Sequence, residues 1–398
     1  MQNPNTLYLT YDGLTDPLGQ SQVLPYLVGL SEKGWKITVI SFEKPERFKL
    51  LQETIHKQCK TNGIHWIPKV YHKSPQVFST LGDLNTLSKT VRKVVKEEKP
   101  LLIHCRSYIT ALVGLRIKNK YGVPFLFDMR GFWADERVDG QIWNLNNPVF
   151  KRIYHFFKKK EIEFLQQSDA NVWLTNNGLD VLKKWEAEHG TFSPTTVIPC
   201  CVDLSVFPLQ KKQTATFTLG YIGSIGTWYM LDEMFDFFIE LKKLIPDAIF
   251  HFLTKDDALL IEKKSQEKGI SKDSIIIEAA EREEIKDKTA RWDYSIFFIV
   301  PKFSKKSSSP TKQGELMAMG IPVICNSGVG DTDYIINKYH SGYLVKEFSN
   351  EEYKRIINKI IADKSHLNPV NIREGAKEYY SLEKGIEDYN NIYKTLIK

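Results

Sequence analysis

The sequence predicts an α/β chain built from two parallel, doubly wound halves. Short apolar runs alternate with segments of helical periodicity along most of the 398 residues, the pattern of strands joined by crossover helices. The length exceeds what one core usually supports, so two domains of roughly 200 residues each are expected. Residues 191–208 are rich in proline and lack helical period, which divides the alternation into two series.

The first series opens with a strand at 7–10, a loop containing Asp16, Gly19 and Gln20, a helix at 23–33 stopped by Gly34, and a strand at 36–42. Further strands are predicted at 64–67, 101–105, 125–128 and 171–175, with helices at about 85–97, 107–120, 147–167 and 177–188. The second series has apolar runs from 217 and at 248–253, 274–277, 295–300 and 322–325. Residues 372–398 carry Tyr379, Tyr380, Tyr389 and Tyr393 at helix-like spacing. The domains expected are therefore 1–195, a linker at 196–212, 213–372, and terminal helices at 373–398 that have the first domain as one place to pack.

Hydrophobic residues at 42% and charged residues at 26% suit a large core in a globular chain. Apolar runs stop near eight residues, far short of the ~20 that span a bilayer. The polar start at 1–5 does not read as a signal peptide. Five cysteines, odd in number and without metal-type spacing, fit a reduced, cytoplasmic setting. The net charge of +7 would favour phosphate or an anionic surface, but no nucleic-acid motif accompanies it.

Residues 307–325, S-S-S-P-T-K-Q-G-E-L-M-A-M-G-I-P-V-I-C, read as a loop, a capped helix and a buried strand. Ser309 is expected to cap the helix, Pro310 to take its first position and Gly320 to end it. Lys312 and Glu315, three apart, share a face just inside the amino end, where free N–H groups favour anions. Either this is a capped surface helix with an ordinary ion pair, or it is a mouth for phosphate and a polyol.

In doubly wound sheets ligands bind beyond the carboxyl ends of strands, and two such domains in tandem make a cleft. Candidates therefore come from loops that follow strands. The first half supplies Asp16, Gly19 and Gln20, then His104, Arg106 and Ser107, and the run Asp128, Arg130, Gly131, Trp133, Asp135 and Glu136. The second half supplies Gly223, Ser224 and Gly226, then Ser309, Thr311, Lys312 and Glu315.

The run S-P-T-K-Q-G-E-L-M-A-M-G-I-P-V-I, the interdomain V-I-P-C-C-V-D-L-S-V-F at 197–207 and the glycine loop at 220–226 together resemble the family 4 nucleotide-sugar glycosyltransferases. That resemblance implies the GT-B fold, two Rossmann-like domains facing across a cleft. It also implies transfer of a sugar from a UDP- or GDP-sugar, with retention of configuration, no cofactor and no metal. The acceptor implied is a glycan or lipid-linked saccharide of the surface-polysaccharide kind. By position, Glu315 matches the second Glu of the family's E-x7-E motif, which holds the donor ribose. Three departures accompany it: Ser307 stands at the first Glu, and Ser224 and Tyr229 stand at the Arg and Lys that bind donor phosphates. Lys312 is the replacement expected for the lost charge, with Arg106 or Arg130 as a second cation.

The carboxylates of Asp128, Asp135 and Glu136 are candidates to orient an acceptor hydroxyl, with Trp133 as a stacking face for a sugar. The other reading pairs Arg130 with Asp128 or Asp135 and simply pins the loop. His104 is either functional or a satisfied core histidine. The helix at 149–165, with Lys158, Lys159 and Lys160 between apolar residues, either lies on an anionic membrane at the inner face of the cell or buries its apolar side in its own domain. The alternatives to a transferase are a GT-B nucleotide-sugar epimerase or hydrolase and a non-catalytic nucleotide-sugar or glycan-binding relative.

Overall fold

A computed structural model describes residues 4–212, 214–362 and 367–397. The chain divides into two compact units, one of residues 1–199 with 382–398 and the other of residues 200–381. Residues 196–212, expected as a linker, are thus shared between the units.

The first unit is a seven-stranded parallel sheet of β1 (Asn5–Thr10), β2 (Lys36–Glu43), β3 (His65–Val70), β4 (Leu102–Arg106), β5 (Phe125–Asp128), β6 (Ala170–Trp173) and β7 (Thr195–Val197). Their spatial order is β3-β2-β1-β4-β5-β6-β7, reversing direction at β1 and β4. Leu7, Leu9, Ile103, Phe125, Phe127 and Trp173 are completely buried. Near-continuous apolar strands of this kind are what a sheet covered on both faces requires.

The second unit repeats the plan with β8 (Thr218–Ile222), β9 (Ile249–Leu253), β10 (Ile275–Glu278), β11 (Tyr294–Phe297), β12 (Val323–Asn326) and β13 (Gly342–Val345), in the order β10-β9-β8-β11-β12-β13. Here the reversal falls between β8 and β11.

Several elements lack a sequence signal of their own. β7 lies in the segment predicted to be an irregular junction, and its three half-buried residues pair with β6 only once the rest of the sheet exists. β13 and the helix Pro45–Thr61 are likewise absent from the sequence prediction. The strand predicted to reach residue 175 stops at Trp173, because the Thr175 hydroxyl accepts a hydrogen bond from Gly178 N (3.0 Å) and caps the helix Asn176–His189.

The terminal aromatic stretch also divides. The helix Pro369–Tyr380 stays in the second unit, whereas Leu382–Leu396 belongs to the first. The latter crosses the helix Leu24–Glu32 where Gly29 faces Ile386; a Cβ at Gly29 would stand 2.2 Å from Cδ1 of that isoleucine. Asn390 Oδ1 accepts from the Trp35 indole (2.9 Å), and the Tyr393 hydroxyl meets His104 Nδ1 (2.7 Å). No helix among the described residues is long and apolar enough to cross a membrane.

Tyr393→Ala should cost about 3 kcal/mol or more, from the lost packing and from the His104 nitrogen left without its partner. The denaturant midpoint measures this, and an unchanged midpoint would show that the terminal helix does not hold the first unit together.

Candidate functional site

The most unusual group in the second unit is Lys312. It lies one residue into the helix Thr311–Ala318, every residue of which from Lys312 on is buried. Its ammonium has no hydrogen-bond partner among the described residues. Instead it lies 3.7 Å from the ring centroid of Tyr229 and 4.2 Å from that of Tyr221. Aromatic faces attract a cation more weakly than a carboxylate would. Burial accordingly lowers its pKa to about 7, against the opposing effect of Glu315.

Room for the ammonium comes from the turn after β8. Gly223 has φ 109°, a left-handed value natural to glycine, and a Cβ there would stand 3.2 Å from the Lys312 nitrogen. The following loop is tied to the end of β11 by Met230 N to Phe298 O (3.0 Å) and Val300 N to Trp228 O (3.0 Å). On this loop the buried Lys305 places its ammonium 3.5 Å from the Trp228 ring centroid. Two lysines from the segment after β11 therefore rest on two neighbouring aromatic rings of the glycine loop.

The loop's own amides are partly used. Asp256 Oδ2 accepts from Ile225 N (2.5 Å) and from the Ser224 hydroxyl (2.9 Å), and Tyr221 donates to Ser224 O (2.5 Å). Ser224 is thus engaged by a carboxylate of the protein itself.

One turn along the helix, Glu315 is buried and paired with Arg282, whose NH1 lies 3.0 Å from Oε1. Burial raises the Glu315 pKa, and Arg282 and Lys312 oppose that. Arg282 in turn lies over the Phe207 ring at 5.0 Å. The Ser307 hydroxyl is buried without a partner among the described residues. Ser309 does not cap the helix as the sequence suggested: Pro310 holds the cap position, Thr311 begins the helix, and the Ser309 hydroxyl accepts from Cys200 N (3.1 Å). Gly320 ends the helix with φ 75°.

The candidates of the first unit gather into two groups. Around Asp128, at the end of β5, stand His104 Nε2 (3.3 Å), the Tyr389 hydroxyl (3.0 Å), Arg106 NH1 (3.8 Å) and Arg130 NH1 (3.8 Å). Burial would raise the Asp128 pKa, but Arg130, His104 and Arg106 outweigh it and the carboxyl titrates below its ordinary range. His104 is pushed down by burial despite Asp128. Arg106 also reaches Asp12 Oδ2 from Nε (3.3 Å). Ser107 (φ 69°) and Arg130 (φ 58°) both hold left-handed backbone at adjacent strand ends, a strain that non-glycine residues tolerate when their surroundings enforce it.

The second group centres on Lys158 and Glu161. Asp135 accepts from the Tyr154 hydroxyl (2.8 Å) and Lys158 (2.8 Å), and Lys158 and Tyr108 both bond the fully buried Glu161, whose pKa burial raises to about 7. Glu136 lies partly exposed in the first turn of the helix Trp133–Asp139. Trp133 packs against Phe157 (4.8 Å) and Trp143 (5.3 Å), with Arg137 over its ring (5.1 Å). In the helix Pro148–Gln167, Phe157, Phe164 and Leu165 are buried, while Val149 and Phe156 are exposed. Gly19 packs its helix onto the preceding loop, where a Cβ would meet Gly13 O at 2.0 Å, and Gln20 donates to Thr15 O (3.0 Å).

Residues 22–206 match the family described as Glycosyltransferase Family 4, and residues 207–379 match Glycosyl transferases group 1. The chain is a glycosyltransferase whose first half carries the Family 4 signature and whose second half carries that of group 1. Its two parallel-sheet units have the GT-B fold. Similar solved structures include sucrose-phosphate synthase from Thermosynechococcus elongatus (14% identity, 99% of each chain, TM-score 0.73) and a glycosyltransferase from Rickettsia africae (15%, 100% of each, 0.70). Another is Anabaena HepE in complex with UDP and glucose (13%, 98% of this chain and 99% of that one, 0.66). At these identities the likeness bears on fold alone. No curated protein sequence matches the chain.

Within this glycosyltransferase, Arg282, Tyr221 and Asp256 escaped the sequence reading. Their only signal was position, since each lies near a strand end or in the loop that follows one.

The buried ammonium of Lys312 carries a stability cost that the ring contacts offset only in part. Its pKa is near 7 folded and ~10.5 unfolded, so the unfolded chain binds more protons between these values and the cost is full below pH 7 and gone above ~10.5. Lys312→Met should thus stabilise the free protein by about 1 kcal/mol or more at pH 6, with a smaller gain at pH 9. Denaturant melts at the two pH values decide it; destabilisation at pH 6 would mean the charge is compensated.

Proposed function

We propose that the protein is a metal-independent, retaining glycosyltransferase that moves a sugar from a UDP- or GDP-sugar to a glycan or lipid-linked saccharide. The reading places it in the cytoplasm, in surface-polysaccharide synthesis, with peripheral contact to an anionic membrane through the basic helix Pro148–Gln167. The observation that carries it is the unpartnered, buried ammonium of Lys312 one turn before Glu315 and beside Gly223.

In this reading the donor diphosphate takes its charge compensation from Lys312 and Lys305 and from the N–H groups at the start of the helix Thr311–Ala318. Cations placed in advance stabilise the charge that grows on the leaving diphosphate as the glycosidic bond breaks. Glu315, held by Arg282, accepts the ribose hydroxyls. The first unit takes the acceptor near the ends of β1, β4 and β5, where Arg106, Arg130 and the Asp128 network keep the loops in strained, fixed positions. HepE crystals with UDP and with UDP-glucose support the donor class.

A binding relative without turnover is the second reading, favoured by Asp256 on the glycine-loop amide and by serine at 307. Melting curves with UDP, GDP and a panel of their sugars separate the two. The transferase reading expects one sugar nucleotide to stabilise the protein, to be slowly hydrolysed to the nucleoside diphosphate, and to bind at least ~10-fold more weakly to Lys312→Met. Binding without any turnover in a broad acceptor mixture would leave the second reading standing.

A further inference from the structure

Among the described residues, the first unit holds a polar cluster around Asp83 that none of the roles above uses. Asp83, on the helix Gln76–Glu98, is 1% exposed, although a carboxylate is costly to bury without donors. It has three. His72 Nδ1 lies 2.6 Å from Oδ1, and Oδ2 accepts from His72 N (3.2 Å) and from the Tyr11 hydroxyl (2.8 Å).

The donors come from different strands. Tyr11 follows the carboxyl end of β1, and His72 follows that of β3 by two residues. These strands are not neighbours, since β2 lies between them. Their loops nevertheless converge, with Tyr11 5.0 Å from the buried Phe42 of β2 and 5.5 Å from Tyr71 between ring centroids. The cluster therefore sits at the sheet edge where doubly wound folds present ligands.

The arrangement leaves something over. In the neutral imidazole, with Asp83 holding Nδ1–H, Nε2 is left as the acceptor. The His72 side chain is 60% exposed, and nothing among the described residues bonds its Nε2. Tyr11 and Tyr71 beside it are partly exposed. A fixed imidazole acceptor next to half-open tyrosine rings matches a pyranose, which offers hydroxyl donors at its rim and a C–H face for stacking. A surface ion pair would need neither the buried carboxylate nor the second strand's tyrosine.

We propose that His72, oriented by Asp83 and flanked by Tyr11 and Tyr71, is a pyranose-binding subsite of the first unit, with Nε2 accepting a hydrogen bond from a ring hydroxyl. The proposal deepens the acceptor side of the function proposed above and rests on that reading for its biological role. His72 is the specificity contact, and Asp83 is a positioning residue.

Saturation-transfer NMR on the full chain tests it, with methyl α- and β-pyranosides of glucose, galactose, mannose, N-acetylglucosamine and rhamnose as probes. At least one should show transfer at millimolar concentration, falling about fivefold or more in His72→Ala and in Asp83→Asn and returning in part with His72→Gln, whose side-chain oxygen can accept the same bond. The melting shifts produced by UDP and by GDP are read on the same samples. Pyranoside binding that is absent, or equal in wild type and His72→Ala, overturns this subsite whatever the nucleotides do. Absence of a shift with both UDP and GDP in wild type, with His72-dependent pyranoside binding intact, refutes the donor reading and leaves the subsite standing.

Discussion

A lysine ammonium buried on aromatic rings, with no hydrogen-bond partner among the described residues, is the constraint around which the second unit is arranged. Lys312 could have been paired with Glu315, three residues on, but that carboxylate is taken by Arg282. The helix start is buried, the turn at Gly223 leaves space, and Tyr221 and Tyr229 supply the faces the charge rests on. Each of these choices keeps a cation available and none neutralises it. Folding tolerates such a group when binding repays the cost.

The same constraint explains how this chain departs from its family's phosphate-binding pattern. Tyrosine stands at 229 where the resemblance expects lysine, and the ring it provides is the one nearest the Lys312 ammonium. Lys305 likewise lies over a ring of the glycine loop, that of Trp228. Two lysines carried by the segment after β11 thus rest on rings of the glycine loop. The serine at 224 follows the same logic, since with Asp256 already on that loop an arginine there would be drawn to the carboxylate.

The fold was legible because strands covered on both faces must be apolar throughout, and runs such as 36–42 and 248–253 have no other use. β7 and β13 were not, because strands of only three and four residues, wholly or partly half-buried, depend on a neighbouring strand rather than on their own composition. Of the site, Lys312 and Glu315 were visible through helical spacing. Arg282 and Asp256 were not, because proximity across 33 residues of chain between Arg282 and Glu315 leaves no local trace. Likewise, His104 and Asp128 were readable as strand-end polar groups, whereas Tyr389 and Tyr393, which bond them, arrive from the far end of the chain. The Ser309 cap failed for a similar reason, its hydroxyl having been claimed by a distant backbone amide.

If the ammonium is held in reserve for a phosphate, then at pH 8 most of it is neutral in the free protein and must take up a proton when a nucleoside diphosphate arrives. Calorimetric titration with UDP and with GDP at pH 8, in two buffers of different ionisation heat, counts that proton directly. Net proton uptake on nucleotide binding, abolished in Lys312→Met, is the result this account predicts. Binding with no proton uptake in the wild-type protein would contradict it.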